Sequence, residues 1–160
     1  MAVITIDGIR LEVPADKNVL ECALENGIYI PHLCHHKDLN PLGSCRMCIV
    51  EVEGKRDVTP SCILKAKDGM SIKTKTPKLE HLRMLALELL LTGHPEDCST
   101  CPTYGSCELQ MLIQYIGPKT GRLKMRTKGF RTQENNPLII HDMNRCILCG
   151  RCVRACNELR

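Results

Sequence analysis

The sequence predicts an α+β chain, a small sheet followed by helices, in which metal-ligating side chains do part of the work of a core. Three observations predict it. Short β-rich runs flank a tight-turn pair at Asp7-Gly8, apolar residues recur at helical spacing between Leu79 and Leu91, and 11 of the 12 cysteines join one histidine in three sets of four. With one Phe, three Tyr and no Trp, the 160 residues carry little aromatic mass, so another kind of staple must help hold them together.

Which staple follows from context. The chain opens MAVITIDGIR, already a strand and a turn, where a secretory leader would place a basic segment and an apolar run. A reducing cytosol is therefore expected, and there clustered C-x-x-C spacing points to metal or catalysis rather than disulfides. The longest apolar run, Met84 to Leu91, is interrupted by Glu88 and falls far short of the roughly 20 residues a bilayer span needs. The net charge of +4 includes a basic stretch of Lys119, Arg122, Lys124, Arg126, Lys128 and Arg131, but only Phe130 offers a stacking surface among them. That argues against a nucleic-acid site and for a solvated or partner-facing strand.

Val3-Ile4-Thr5-Ile6 and Ile9 to Val13 read as a hairpin closed by Asp7-Gly8, a pair suited to positive backbone angles. Pro14 stops the second strand. Val19, Leu20, Ala23 and Leu24 then keep helical spacing until Gly27, and Met47 to Glu53, Val58 to Thr59 and Met70 to Thr76 supply further strands. The expected result is a β-grasp sheet crossed by one helix. Between helix and strand runs PHLCHHKDLNPLGSCRMC, too polar and too rich in Pro and Gly for regular structure. Its Cys34, Cys45 and Cys48, with Cys62 from the next turn, form a four-thiol set in which Gly43 lets the chain curl so that backbone N–H groups face inward. Cys22 lies on the apolar side of the helix and reads as a buried hydrophobe. His32, His35 and His36 flank a complete cysteine set and read as supporting donors or surface residues.

Leu79, Leu82, Leu85, Ala86, Leu89 and Leu90 share a helix face, and Met84, Leu87 and Leu91 make the other face apolar too, which predicts a helix buried on most sides. Gly93 and Pro95 end it, placing His94 at a corner. His94, Cys98, Cys101 and Cys107 then follow with three, two and five residues between them. Ser106-Cys107 opens a second helix, whose positive N-terminal end favours an anionic group. Downstream, the extended run Leu138 to Ile140 leads into Cys146, Cys149, Cys152 and Cys156, the bacterial ferredoxin spacing with Asn157 where proline is usual. By the rule for two-cluster ferredoxins, Cys156 serves a second cluster and Cys146, Cys149 and Cys152 need a fourth ligand, which comes from outside the 160 residues, from elsewhere, or from Cys156 closing the shell in an unusual way. A segment of a longer protein is the expectation. Residues alone leave the first two sets open between iron-sulfur clusters and structural zinc, because zinc shells use the same ligand types.

The first set departs from the plant-type ferredoxin spacing, with ten, two and thirteen residues between its cysteines. Together with the His94 set after it, it resembles the N-terminal iron-sulfur region shared by the large peripheral (G-type) subunit of NADH dehydrogenase (complex I), iron-only hydrogenases and NAD-dependent formate dehydrogenases. The resemblance implies a 2Fe-2S cluster on Cys34, Cys45, Cys48 and Cys62, a 4Fe-4S cluster on His94, Cys98, Cys101 and Cys107, and further 4Fe-4S ligation by Cys146, Cys149, Cys152 and Cys156. The implied domains are residues 1–78, a 2Fe-2S β-grasp domain; 79–118, a small histidine-ligated 4Fe-4S domain; and 119–160, a linker and the incomplete start of a ferredoxin domain. The implied function is electron relay inside an oxidoreductase, with no catalytic residue and no substrate-converting site on this segment. Its implied partners are a flavin- or NADH-oxidising subunit and a catalytic subunit or domain, with no nucleic acid and no membrane span, in the cytoplasm or at a membrane periphery reached through partners. The competing reading is a zinc-stabilised interaction module without redox activity. A redox-sensing transcription factor comes third, and the lack of a stacking surface argues against it.

Overall fold

A computed structural model describes residues 1–117, 123, 126, 128–136 and 138–160 of the chain. They form two compact units, one of Met1–Arg83 with Gly150–Arg160 and one of Met84–Cys149.

The first unit is a mixed sheet with one helix packed into its apolar face. Strands β1 (Ala2–Ile6) and β2 (Ile9–Val13) pair antiparallel through a turn in which Asp7 and Gly8 both have positive φ, at 50° and 86°. That is the geometry the Asp-Gly pair predicts. Helix α1 (Val19–Glu25) starts where the Asn18 side chain accepts from the Glu21 amide at 2.8 Å. It ends through Asn26 into Gly27 at φ 75°. Strands β3 (Ile49–Val52), β4 (Thr59–Pro60) and β5 (Ser71–Lys73) complete the sheet in the order β2-β1-β5-β3-β4, with β1 and β5 parallel at its centre. Pro60 is tolerated because β4 is an edge strand, pairing with β3 alone.

Alternation within the strands buries Ala2, Ile4, Ile6, Val50, Val52 and Ile72 on one side, and Val19, Leu20, Cys22 and Ala23 of α1 join them in a single apolar cluster. Full burial of such a side chain contributes about 1.5–3 kcal/mol. Cys22 is fully buried within that cluster, as a small hydrophobe would be. Also in this unit is the last helix, α4 (Arg151–Leu159).

Helix α2 (Pro77–Leu91) begins two residues before the apolar pattern does, with proline in the first turn where its missing N–H costs nothing. Leu79 and Leu87 are buried, but Leu89 is 57% exposed and Leu82, Leu85, Leu90 and Leu91 are half-buried, so the helix is not covered on most sides as its leucines suggest. Gly93 does not take a left-handed conformation. The helix is closed instead by the Thr92 hydroxyl, which donates to Leu89 O at 2.7 Å, and by turn bonds from Gly93 and His94 to Leu90 and Leu91.

In the second unit a short 3-10 turn (Cys98–Thr100) precedes α3 (Glu108–Ile116), which starts at Cys107 and ends at Gly117 with φ 64°. Leu109 and Leu112 are the buried residues of α3. Strands β6 (Gln133–Asn136) and β7 (Ile139–His141) pair antiparallel. The apolar run thus becomes a strand only from Ile139, and Leu138 sits in an exposed turn. Of the basic stretch, Lys119, Arg122 and Lys124 lie outside the described residues; Arg126 and Arg131 are exposed, whereas Lys128 is half-buried.

Candidate iron-sulfur sites

The loop from Pro31 to Cys48 carries the first cysteine set. Cys34, Cys48 and Cys62 are buried and Cys45 half-buried. The thiols meet as two pairs, Cys34 with Cys45 and Cys48 with Cys62, each joined by a side-chain hydrogen bond. Within each pair one thiol is lowered and the other raised. The Cys45 thiol, the Ser44 hydroxyl and the amides of Ser44 and Cys45 hold Cys34 far below the usual thiol range, while bonding to Cys34 and burial push Cys45 up. Cys62, with the Ser61 hydroxyl, lowers Cys48 in the same way, and Cys62 is itself raised.

Two pairs with weaker cross-interaction are what two metal centres sharing four thiolates require. A single tetrahedral ion would draw all four sulfurs into one shell. Four thiols in two pairs are a donor set of the kind a binuclear cluster takes.

The local backbone is bent to serve these sulfurs. Gly43 takes φ 67°, and Arg46, between Cys45 and Cys48, takes φ 57°, a costly conformation for a side-chain-bearing residue. The bend aims the Met47 amide at Cys45. An equivalent device occurs at the third set, where Leu148 at φ 54° sends its amide to Cys146 Sγ at 3.4 Å. Neither position was legible in the sequence, because nothing in Arg or Leu signals a left-handed residue.

Three groups around the first set were also beyond the reach of sequence reasoning. Arg83, 3% exposed, donates to the carbonyls of Met47, Thr74 and Ile49. His35 is buried with Nε2 3.4 Å from Glu21, so of the three histidines it alone is a core residue; His36 is exposed and His32 half-buried with Nδ1 on Ile30 O. Burial lowers the pKa of His35, partly opposed by Glu21. Helix α4 is the third. Arg151 donates to His35 O at 2.7 Å, Arg154 donates to Cys34 O at 2.5 Å and to Asn40 O, and Glu158 accepts from the Asn40 amide at 2.8 Å. Spacings of three and four residues put Arg151, Arg154 and Glu158 on one helical face.

The second set lies between α2 and α3. His94 is half-buried with Nδ1 2.9 Å from Pro95 O. A carbonyl only accepts, so Nδ1 carries the proton and Nε2 is left with its lone pair available for a metal. Cys98 and Cys101 bracket the 3-10 turn, and Cys107 sits at the N-terminus of α3 as predicted. Thr103, through its hydroxyl 3.2 Å from Cys101 Sγ and its amide, holds the Cys101 thiol below its usual range, helped by Arg145. Arg145 in turn grips Asp97 with two bonds of 3.0 and 2.6 Å and lowers its pKa. Lys128 donates to Cys146 O at 2.6 Å and to Asn144 O at 3.3 Å. Arg145, Asp97 and Lys128 thus lie one residue from, or directly on, the second and third cysteine sets. Cys146 and Cys149 are half-buried, while Cys152 and Cys156 on α4 are exposed.

Fold and donor sets define an iron-sulfur electron-transfer segment. Three family models match in succession: a 2Fe-2S iron-sulfur cluster binding domain over residues 1–77, the NADH-ubiquinone oxidoreductase-G iron-sulfur binding region over 83–122, and a 4Fe-4S binding domain over 139–156. The chain is 45% identical to the second G-type subunit of NADH-quinone oxidoreductase from Rhizobium meliloti, over 99% of its own length and 19% of that protein's. It is 38% identical to the NADH-ubiquinone oxidoreductase 75 kDa subunit of Reclinomonas americana, covering 99% of this chain and 23% of that one. Identity is also 38% to the NADP-reducing hydrogenase subunit HndD of Solidesulfovibrio fructosivorans, covering 100% and 28%. A solved chain of an NAD+-reducing [NiFe]-hydrogenase superposes with a TM-score of 0.91 at 35% identity, covering 99% of this chain and 67% of that one. The chain belongs to the iron-sulfur family shared by the G-type subunits of NADH-quinone oxidoreductases and such hydrogenase subunits. It spans 19–28% of the length of these curated relatives. Among the described residues no helix is long and apolar enough to cross a membrane.

Proposed function

We propose that this segment relays single electrons between an NADH- or flavin-oxidising partner and a distant catalytic subunit or domain of one oxidoreductase complex, of NADH dehydrogenase, hydrogenase or formate dehydrogenase type. The observation that carries the reading is the two-by-two pairing of Cys34 with Cys45 and Cys48 with Cys62. These four would hold a 2Fe-2S cluster. His94 through Nε2, with Cys98, Cys101 and Cys107, would hold a 4Fe-4S cluster. Cys146, Cys149 and Cys152 would contribute to a further 4Fe-4S cluster, and Cys156 to the second cluster of the ferredoxin motif. On this reading the chain divides functionally into residues 1–78, 79–118 and 119–160.

Bound clusters supply one-electron transfer. The protein's own share is to exclude water around Cys34, Cys48 and Cys62, to aim N–H groups at sulfur, and to leave the His94 site one unit less negative than an all-thiolate shell would be. The segment does no acid-base or nucleophilic chemistry. Iron, acid-labile sulfide and zinc measured on anaerobically purified protein, with EPR of the reduced form, test the proposal. Iron in excess of two atoms per chain with distinct two-iron and four-iron signals is expected. Stoichiometric zinc with little iron would establish a zinc-stabilised interaction module instead.

A further inference from the structure

We propose that Arg154 of α4 is a positioning residue for the Cys34 limb of the two-iron site, so that the helix carrying Cys152 and Cys156 also clamps the loop of the first cysteine set. The inference rests on the assignment of Cys34 to that site. From Pro31 to Cys48 the chain runs between α1 and β3 as turns and bends, so its backbone groups need partners from elsewhere. Helix α4 supplies them. Arg154 Nη2 donates to Cys34 O at 2.5 Å, and its Nη1 donates to Asn40 O. The Glu158 carboxylate accepts from the Asn40 amide at 2.8 Å, and Arg151 Nη2 donates to His35 O at 2.7 Å.

These bonds bracket the stretch from Cys34 to Asn40. Asn40 is held through both its amide and its carbonyl, and Cys34 through its carbonyl, so both ends are tied to one helix. Between them the Leu39 amide donates to His36 O at 3.2 Å, a turn that spans only the middle of the stretch. Burial along α4 agrees with this docking face. Arg151, Arg154 and Ala155 are half-buried, whereas Cys152, Val153, Cys156 and Asn157 are exposed. Helical spacing puts Cys152 and Cys156 one turn apart on the side opposite Arg154. At the start of the helix the approach is close as well, since a Cβ on Gly150 would lie 3.5 Å from Leu42 Cδ2.

One side chain reaching two carbonyls is a demand that a guanidinium meets. Its planar fork presents Nη1 and Nη2 in fixed directions, whereas an ammonium is a point donor and grips one carbonyl at a time. The role is geometric. Both Arg154 bonds end on backbone oxygens, and the direction of the Cys34 side chain follows from its backbone, so loosening that carbonyl loosens the sulfur that meets Cys45. The consequence reaches the far side of α4, because a group bound through Cys152 or Cys156 would be anchored to the helix that holds the first site shut.

The test uses the full chain, loaded anaerobically with iron and sulfide, in Arg154→Ala, Arg154→Lys and Glu158→Ala. Iron release from the two-iron centre to a chelator should quicken by roughly tenfold in Arg154→Ala, and the reduced EPR signal should change its g-anisotropy. Arg154→Lys should fall between that variant and the unaltered chain, because an ammonium recovers one of the two bonds. Release and signal shape unchanged in Arg154→Ala would overturn the proposal, and full rescue by Arg154→Lys would reduce the role to charge and overturn the positioning. In Glu158→Ala the Asn40 amide should exchange faster by roughly tenfold while β1, β3 and β5 keep their protection. An Asn40 rate equal to that of the unaltered chain would show that α4 does not hold the loop. If both Arg154 variants lose protection throughout the sheet, Arg154 is a structural residue and the proposal falls. An unaltered chain with no two-iron signal would defeat the ligand assignment and this inference with it; the Asn40 exchange rate reports separately whether α4 grips the loop.

Discussion

Cys48 and Cys62 are part of the apolar cluster of the sheet and Cys34 is buried too, whereas Cys98, Cys101 and Cys107 hang half-buried on a turn between two helices. The first set has Ile4, Ile6, Val50 and Ile72 packed into one apolar cluster, and its sulfurs already meet in pairs. In the second, α3 contributes only Leu109 and Leu112 as buried residues, and its three thiols are half-exposed. A site that is preformed needs its metal for function; a site without a core of its own needs it also for shape. Arginines follow the same division, with Arg83 buried beside the first set and Arg145 half-exposed at the second.

The largest effect should come from removing iron by anaerobic chelation. Amide hydrogen exchange in β1, β3 and β5 should stay protected, while protection in Cys98–Thr100 and Glu108–Ile116 falls by orders of magnitude. Equal loss in both regions would break the comparison. Ile72→Ala, which cuts into the fully buried centre of the sheet, should cost about 2–5 kcal/mol in denaturant unfolding and destabilise the two-iron centre along with the fold. Cys98→Ser should abolish the EPR signal of the His94-site cluster and leave the two-iron signal at full intensity, which spin quantitation of the reduced protein would show.

His94→Cys sharpens the contrast from the other side. A thiolate adds negative charge where the imidazole adds none, so a four-iron cluster should persist at a lower midpoint. The same midpoint as the unaltered protein would count against Nε2 ligation. The smallest effect concerns Asn18, whose side chain caps α1: Asn18→Ala should lower stability by about 1 kcal/mol and leave every EPR signal as it was.

Much of the sheet was legible because its signals are local. Asp7-Gly8 takes the turn its composition dictates, and alternation over Ala2–Ile6 states which side chains go inside. Cys107 at the start of α3 was legible for the same reason, since Gly and Ser before an apolar helix mark a helix start. Leu89 was not: a leucine reads as core wherever its spacing allows, and only neighbouring chain decides whether anything covers it. The helix stops just before Gly93 as its sequence signals, but through the Thr92 hydroxyl and turn bonds rather than a left-handed glycine.

The sequence by itself named the candidate donor residues and their order, because a C-x-x-C turn or a histidine after a helix end is written within a few residues of chain. Tertiary structure alone decided what those atoms feel. Arg83 reaches Cys48's neighbours across 34 to 36 residues of chain, and Arg154 reaches the Cys34 carbonyl across 120. No local pattern encodes such a meeting, since a lone arginine on a helix reads as solvated until the fold buries it. Pairing of thiols into twos is likewise a property of the folded loop, where Gly43 and Arg46 turn the backbone and β4 returns Cys62 to Cys48.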